Sequence, residues 1–483
     1  MKKLSKVLAL VLAFALVLGL GATAFAEGEP SITINSTADT DEVKTDKTSY
    51  TWYRILNADI DEDPTGAPNQ TGGKVAYYVT SADQVTELNE TNLFNVVRVG
   101  DTDKWYVELK DSSTSAQDII AEFSKSTFDL SKFPSDTFAQ TTPGGTATSG
   151  EVAAGYYYIT STLGSKAVLQ TLTAVTIDEK NSYVTDDKTI PSGDANSQIG
   201  QEITYTLTVN VPATANDQIV LTDTMSKGLT FKEVKSQKID GTAATTAQEG
   251  DVSAVTAADG DATKFTITWT ADQVKAIVGD PAAAKVITVE VTVIVNDEAA
   301  IDTDIPNTLD LKYGNNYEAK PVTVNTKTTK FDFDKVDGTT SSTKLTGAEF
   351  QLKQGGNVIK LVKVEDGKTY RVATAAEIDA AAATLVDTIV TNGNTITING
   401  LDGDLTYQLT ETKAPTGYNI MSPDTVDVQP NSGTFVHQDI ENNKGATLPS
   451  TGGIGTTIFY IVGSLLVVGA GILLVTRKRM TVQ

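Results

Sequence analysis

Ile203-Thr-Tyr-Thr-Leu-Thr-Val209 alternates apolar or aromatic residues with threonine at every step. A period of two places one set of side chains in a core and the other toward solvent on an extended strand. Thr and Val are also residue types that suit a pleated surface. Phe265-Thr-Ile-Thr-Trp269 and Ile287-Thr-Val-Glu-Val-Thr-Val293 repeat the pattern, and Gly, Asp, Asn and Pro punctuate the runs. Short strands at this spacing predict an all-β chain of tandem β-sandwiches. Helical patterns are few: Ser115 to Ser124 and Ala375 to Val386 are expected as short helices between strands.

The chain has 483 residues with a formal net charge of −23, no cysteine, and His437 as its single histidine. So acidic a balance argues against nucleic acid and anionic membrane surfaces as partners. One His and no Cys leave little material for zinc sites or for Cys–His and Ser–His catalysis, so no metal and no cofactor are expected. His437 reads as an ordinary strand residue. No acid pair falls in a recognisable hydrolase motif, and the chain is not expected to be an enzyme. Without disulfides, an exported chain needs another source of robustness.

Both ends carry targeting segments. Lys2, Lys3 and Lys6 precede an apolar run from Val7 to Leu20, and Ala24-Phe25-Ala26 follows. This is a secretory signal peptide spanning 1–26, cleaved after Ala26, with Ala24 as the competing site. At the other end Leu448-Pro449-Ser450-Thr451-Gly452 precedes an apolar run from Ile454 to Val475 and the cluster Arg477-Lys478-Arg479. About 20 apolar residues cross the ~30 Å hydrocarbon core as a helix, and the basic cluster belongs on the cytoplasmic side. These three parts, in this order, resemble the cell-wall sorting signal of Gram-positive surface proteins. The resemblance implies cleavage by a sortase between Thr451 and Gly452 and attachment to peptidoglycan. The alternative is a plain single-pass anchor that stays in the membrane.

Between the ends, three blocks are expected at 27–182, 183–326 and 327–446, followed by the sorting signal at 447–483. Their short linkers suggest a stiff rod. In the third block, Phe331-Asp-Phe-Asp-Lys335 is followed by Tyr407-Gln-Leu-Thr-Glu411-Thr-Lys-Ala-Pro415-Thr-Gly-Tyr418. Period two turns Glu411 inward with Tyr407 and Leu409, and Lys335 inward with Phe331 and Phe333. An acid and an amine in an apolar core are costly as ions unless paired. Burial raises the carboxyl pKa and lowers that of the amine. A neutral lysine is a nucleophile. The Tyr407–Tyr418 stretch resembles the E-box of the Cna-B-type, immunoglobulin-like domains of Gram-positive pilins at every fixed position. That resemblance implies a Lys335–Asn442 isopeptide bond promoted by Glu411. Asn443 is the runner-up acceptor, and a buried Lys335–Glu411 salt bridge without covalent chemistry is the alternative.

The second block holds Lys188-Thr-Ile, then Val220-Leu-Thr-Asp223 ahead of Gly228-Leu-Thr-Phe, then Ile305-Pro-Asn307. This order resembles the middle domain of sortase-assembled major pilins. It implies a Lys188–Asn307 bond promoted by Asp223, although Asp223 also reads as a turn residue. The second and third blocks each close on an Asn two residues past an isoleucine. The first block leads into Asp178-Glu179-Lys180-Asn181. By position this resembles the pilin motif, whose lysine attacks the sortase-bound threonine of the next subunit. The usual Tyr-Pro before the lysine is replaced by Asp178-Glu179, so a solvated linker lysine remains open. No Lys/acid/Asn set stands out within the first block. The leading reading is a covalently polymerised pilus subunit whose partners are a sortase, further copies of itself, minor pilins and peptidoglycan. The alternative is a monomeric wall-anchored adhesin or minor pilin with a host surface ligand.

Overall fold

The computed structural model describes residues 30–38, 41–60, 75–179, 181–256, 262–364, 367–430, 436–445 and 454–480. Ala26, Lys180 and Leu448, Pro449, Ser450, Thr451 and Gly452 lie outside the described residues. The chain forms two compact units, one running to Thr329 with 400–404, the other holding 330–399 and the rest from Leu405.

In the first unit, the N-terminal part has a three-stranded sheet of Val175–Asp178, Ser31–Asn35 and Thr146–Glu151. Beside it is a seven-stranded sheet centred on Ser49–Ile60 and Gly155–Ser161. The expected helix forms as Ala116–Phe123. Ser115 and Asp118 close a capping box at its start, satisfying amide groups that have no intrahelical partner. Ile119 and Phe123 are its buried face. A helix not expected from the sequence, Ala82–Glu90, buries Leu88.

The opening stretch lies in the strand Glu202–Val211, and its burial alternates as period two demands: Ile203, Tyr205, Leu207 and Val209 are fully buried. It pairs antiparallel with Lys285–Val295, setting Ile203 opposite Val293 and Tyr205 opposite Val291. The sheet is completed by Thr185–Thr189, Leu229–Ile239 and Thr242–Ala243. A second sheet runs Asp251–Thr256, Ala262–Trp269, Ile219–Met225, Asp304–Tyr313 and Tyr317–Ala319, with Val322–Lys327 on Asp304–Tyr313. Its last strand is Val43–Asp46, which pairs antiparallel with Tyr317–Ala319. The N-terminal segment thus contributes a strand to a sheet built otherwise from residues more than 170 positions later. Asn307 is not on the closing strand of this block, because Tyr317–Ala319 and Val322–Lys327 follow it.

In the second unit, Thr329–Asp337 pairs in parallel with Val436–Asn442, which brings the beginning and end of the block together. The opposing sheet contains Thr346–Gln354 paired with Tyr407–Lys413. From Phe331 to Asp337 every residue is buried. The strand is covered on both faces, so Asp332 and Asp334 are buried as well as the expected Phe331, Phe333 and Lys335. The second expected helix is shorter than its pattern. It covers Ala375–Asp379 only, and Ala381 sits at φ 47°. None of its residues is buried, and so short a helix without a packed face has little to sustain it. Leu385–Val386 instead pairs with Leu361–Lys363 as strand. At the C-terminus, Ile454–Met480 is one helix, with Gly455–Met480 long and apolar enough to cross a membrane.

Candidate functional site

Two buried clusters of a lysine, an acid and an asparagine form, one in each β-sandwich where they were expected. In the middle sandwich, Lys188 comes from one sheet, on Thr185–Thr189, and Asp223 and Asn307 from the facing one. Lys188 Nζ donates to Asp223 Oδ2 at 2.5 Å, and both side chains are 1 % exposed or less. Asp223 lies on the strand Ile219–Met225, opposite Leu309 and Phe265, and not in a turn. Its strand-mate Met225 is opposite Asn307. Asn307 is fully buried, and its carboxamide lies against Asp223 and Tyr205 without an ideal hydrogen bond to either. Lys188 Nζ also lies 4.7 Å from the centre of the Tyr205 ring.

Burial pushes the Lys188 ammonium down to about 8, against the opposing pull of Asp223. The same burial pushes the Asp223 carboxyl up, with Lys188 and the Asn307 amide pulling the other way. Both shifts favour the uncharged pair, an amine facing a carboxylic acid.

In the second unit, Lys335 and Asn442 sit on neighbouring parallel strands, with Lys335 opposite Ile440 and Asn442 opposite Asp337. Glu411 reaches them from the other sheet, on the strand Tyr407–Lys413. All three side chains belong to the core, each residue 1 % exposed. Lys335 Nζ donates to the Ile440 carbonyl at 2.9 Å and lies 3.8 Å from Glu411 Oε1. Asn442 Nδ2 donates to Glu411 Oε2 at 2.9 Å and to the Asn419 carbonyl at 2.5 Å. A carbonyl can only accept, so Asn419 holds the amide nitrogen on the side of the acid. The Met421 N–H donates to the same Glu411 oxygen at 2.6 Å. Glu411 Oε1 and Asn442 Oδ1 have no hydrogen-bond partner. Burial pushes Lys335 down to about 8, opposed by Glu411. Asn443, next in the chain, is exposed.

Each arrangement can carry out the same chemistry. A neutral Nζ attacks the amide Cγ, the acid passes a proton to the departing nitrogen, and one C–N bond replaces another as ammonia leaves.

Several groups around these sites were not anticipated from the sequence. Asn419 and Tyr205 are two of them. A third is Asp337, which accepts from Thr339, from the Tyr418 hydroxyl at 2.7 Å and from Lys444 at 3.1 Å. These bonds hold its carboxyl far below the usual range. Glu179, which belongs to neither cluster, was not anticipated either, although the sequence did contain its signal: it follows Val175 and Ile177 at period two, and both pack against the N-terminal core. Among the described residues, Asp334, His437 and Asp439 have ligand atoms within 4.8 Å of one another. Lys344 Nζ lies 2.8 Å from Asp334 Oδ2 and already meets that charge.

Three family matches bear on identity. Residues 199–317 match the Gram-positive pilin backbone subunit 2, Cna-B-like domain; 329–444 match a prealbumin-like fold domain; 440–481 match the LPXTG cell wall anchor motif. Lys188 lies ahead of the first of these segments. No curated protein matches the chain. Among solved structures it is similar to the full-length major pilin SpaD of Corynebacterium diphtheriae, at 19 % identity and TM-score 0.49, covering 88 % of this chain and 100 % of that one. It is also similar to the major pilin subunit BcpA of Bacillus cereus, at 18 % identity and TM-score 0.41, covering 86 % and 100 %. A 35 kDa C-terminal fragment of the Streptococcus agalactiae major pilin GBS80 matches at 22 % identity and TM-score 0.42, covering 54 % and 100 %.

The pilin backbone domain and the wall-anchor motif define a Gram-positive, cell wall-anchored surface protein with a membrane-passing sorting tail. Within that class it is a sortase-assembled pilus subunit.

Proposed function

We propose that this chain is a shaft subunit, joined to its neighbours through Lys180 and Thr451 and hardened by two intramolecular isopeptide bonds. The bonds are Lys188–Asn307, promoted by Asp223, and Lys335–Asn442, promoted by Glu411. The observation that carries this reading is the Glu411 carboxyl, which reaches the Asn442 amide nitrogen at 2.9 Å and Lys335 Nζ at 3.8 Å inside a closed core. A structural salt bridge needs only the lysine and the acid. An asparagine whose NH2 is aimed at that acid is what amide exchange requires.

The bonded residues are 119 and 107 positions apart (307 − 188 and 442 − 335). Loop-closure entropy for cross-links of this span is about 5 kcal/mol each, and unlike disulfides they cannot be reduced. This meets the need left by the absence of cysteine.

The proposed domains are 27–182, 183–326 and 327–446, with Val43–Asp46 lent to the middle one. Sortase cleaves between Thr451 and Gly452 and passes the Thr451 acyl group to Lys180 of another copy or to a peptidoglycan amine. The chain is a substrate and a structural element, and the sortase supplies the catalytic cysteine. Minor pilins would share the same linkage chemistry. The test is expression with a pilus sortase. The wild type is expected to give a ladder of high-molecular-weight species, and Lys180→Ala to abolish it. A wild type without a ladder would leave the wall-anchored adhesin, with its host ligand, as the better reading. A ladder unchanged in Lys180→Ala would mean that another lysine links the subunits.

A further inference from the structure

From sequence, the replacement of Tyr-Pro by Asp178-Glu179 leaves Lys180 open as a solvated linker lysine. Its neighbour Glu179 is buried, 4 % exposed. The strand Val175–Asp178 runs parallel to Ser31–Asn35 with Asn35 opposite Asp178. The Glu179 N–H then donates to the Asn35 carbonyl at 2.9 Å, continuing the pairing by one residue.

Its carboxylate turns inward and collects five donors. Ser36 Oγ at 2.8 Å, the Thr37 N–H at 3.0 Å and the Tyr183 hydroxyl at 2.5 Å reach Oε1. The Tyr50 hydroxyl and Asn181 Nδ2 reach Oε2. Tyr50 is itself held by Gln140 Nε2 at 3.1 Å. Asn181 is fixed at the other end of its carboxamide, where Ser161 Oγ donates to Oδ1 at 2.8 Å. A buried carboxylate is costly without such partners, and two carboxylate oxygens offer about four lone-pair sites. Glu179 is therefore saturated, and its donors come from three separate segments. Lys180 stands between two residues that this network ties down: Glu179 through backbone and side chain, Asn181 through both ends of its amide.

We propose that Glu179 is a positioning residue for subunit linkage, holding the residues on either side of Lys180 for its reaction with the sortase-bound Thr451 of a second copy. This rests on Lys180 being the linking residue. In that step the Lys180 Nζ forms a bond to the Thr451 carbonyl carbon, the thioester C–S bond to the sortase cysteine breaks, and the thiolate takes the amine's proton. Effective molarity in such a step depends on holding the attacking group in place.

The test separates the two halves of the reaction in the full chain with purified sortase. Glu179→Gln and Asn181→Ala are expected to release the tail beyond Thr451, with the Thr451 acyl group passed to a small added amine, at the wild-type rate. Ladder formation by the same proteins should fall about tenfold or more, with the residual linkage still on Lys180. Ladder rates within about twofold of wild type for both variants, with near-ultraviolet circular dichroism retained, would overturn the proposal. If either variant loses that native signal, Tyr50→Phe, which removes a single donor, decides: a slower ladder with unchanged tail release supports positioning, and an unchanged ladder refutes it. A wild-type ladder in Lys180→Ala would instead sink the linkage reading on which the proposal stands.

Discussion

The two lysine–acid–asparagine clusters use the same three residue roles, but each acid is engaged with a different partner. In the middle sandwich the acid's close contact is with the nucleophile: Lys188 Nζ is 2.5 Å from Asp223, and the Asn307 amide lies against the same carboxyl without an ideal hydrogen bond. In the second unit the acid holds the leaving group: Glu411 is hydrogen-bonded to Asn442 Nδ2 at 2.9 Å, and Lys335 donates to the Ile440 carbonyl instead. One acid must do both jobs during amide exchange, first relieving the lysine of its proton and later protonating the departing nitrogen. If the proposed bonds form, the two clusters correspond to the two halves of that cycle. What they share, burial that brings both lysines down to about 8, is the part that makes the amine nucleophilic.

The largest expected effect comes from breaking the tighter pair. Asp223→Ala removes the acid and leaves Lys188 Nζ buried without its hydrogen-bond partner, a loss of about 1–3 kcal/mol, in addition to the ~5 kcal/mol of the missing cross-link. Denaturant unfolding should show the middle sandwich melting first, and the intact mass should rise by one ammonia. Glu411→Gln is expected to be milder. The glutamine keeps the volume and can still accept from Asn442 and Met421, but it cannot act as an acid, so the loss should approach the cross-link contribution of ~5 kcal/mol alone. Equal destabilisation by the two substitutions would contradict the difference drawn between the sites.

A smaller effect is expected beside Lys188. Asp186 shares the inward parity of Lys188, two residues earlier, but its Oδ2 is buried without a hydrogen bond. Burial, with Asp187 and Asp310 nearby, pushes its carboxyl up to about 7. A carboxyl raised above its unfolded value of about 4 binds the proton better in the folded state, so stability falls as pH rises between those values. Its contribution is greatest below about pH 4 and is lost as pH rises through 7. Asp186→Asn should flatten that part of the stability–pH curve, measured by thermal unfolding between pH 4 and 8. A curve unchanged by the substitution would mean that Asp186 is not the acid responsible.

Much of this was legible in the residues. Strict alternation set the inward direction of Tyr407, Leu409 and Glu411, because a strand with one face in the core leaves no freedom of parity. The sorting signal needed only composition and order. Alternation was silent where a strand is covered on both sides, as at Phe331–Asp337, since a buried Asp332 interrupts no pattern. It was also silent on long-range pairing: nothing in Val43-Lys-Thr-Asp46 points to Tyr317–Ala319. The run of alanines after Asp379 promised more helix than an unpacked segment can hold. Glu179 could have been found by extending the parity of Val175 and Ile177 one step further, but its polarity suggested solvent.

Whether the clusters are reactive sites or salt bridges is decided by the intact mass of the purified chain from Glu27 to Asn443. Two isopeptide bonds predict a mass about 34 Da below that of the unmodified sequence, one ammonia for each bond. Fragmentation should place the cross-links at Lys188–Asn307 and Lys335–Asn442. A mass equal to that of the unmodified chain would mean that neither bond forms and that both clusters are buried lysine–acid pairs.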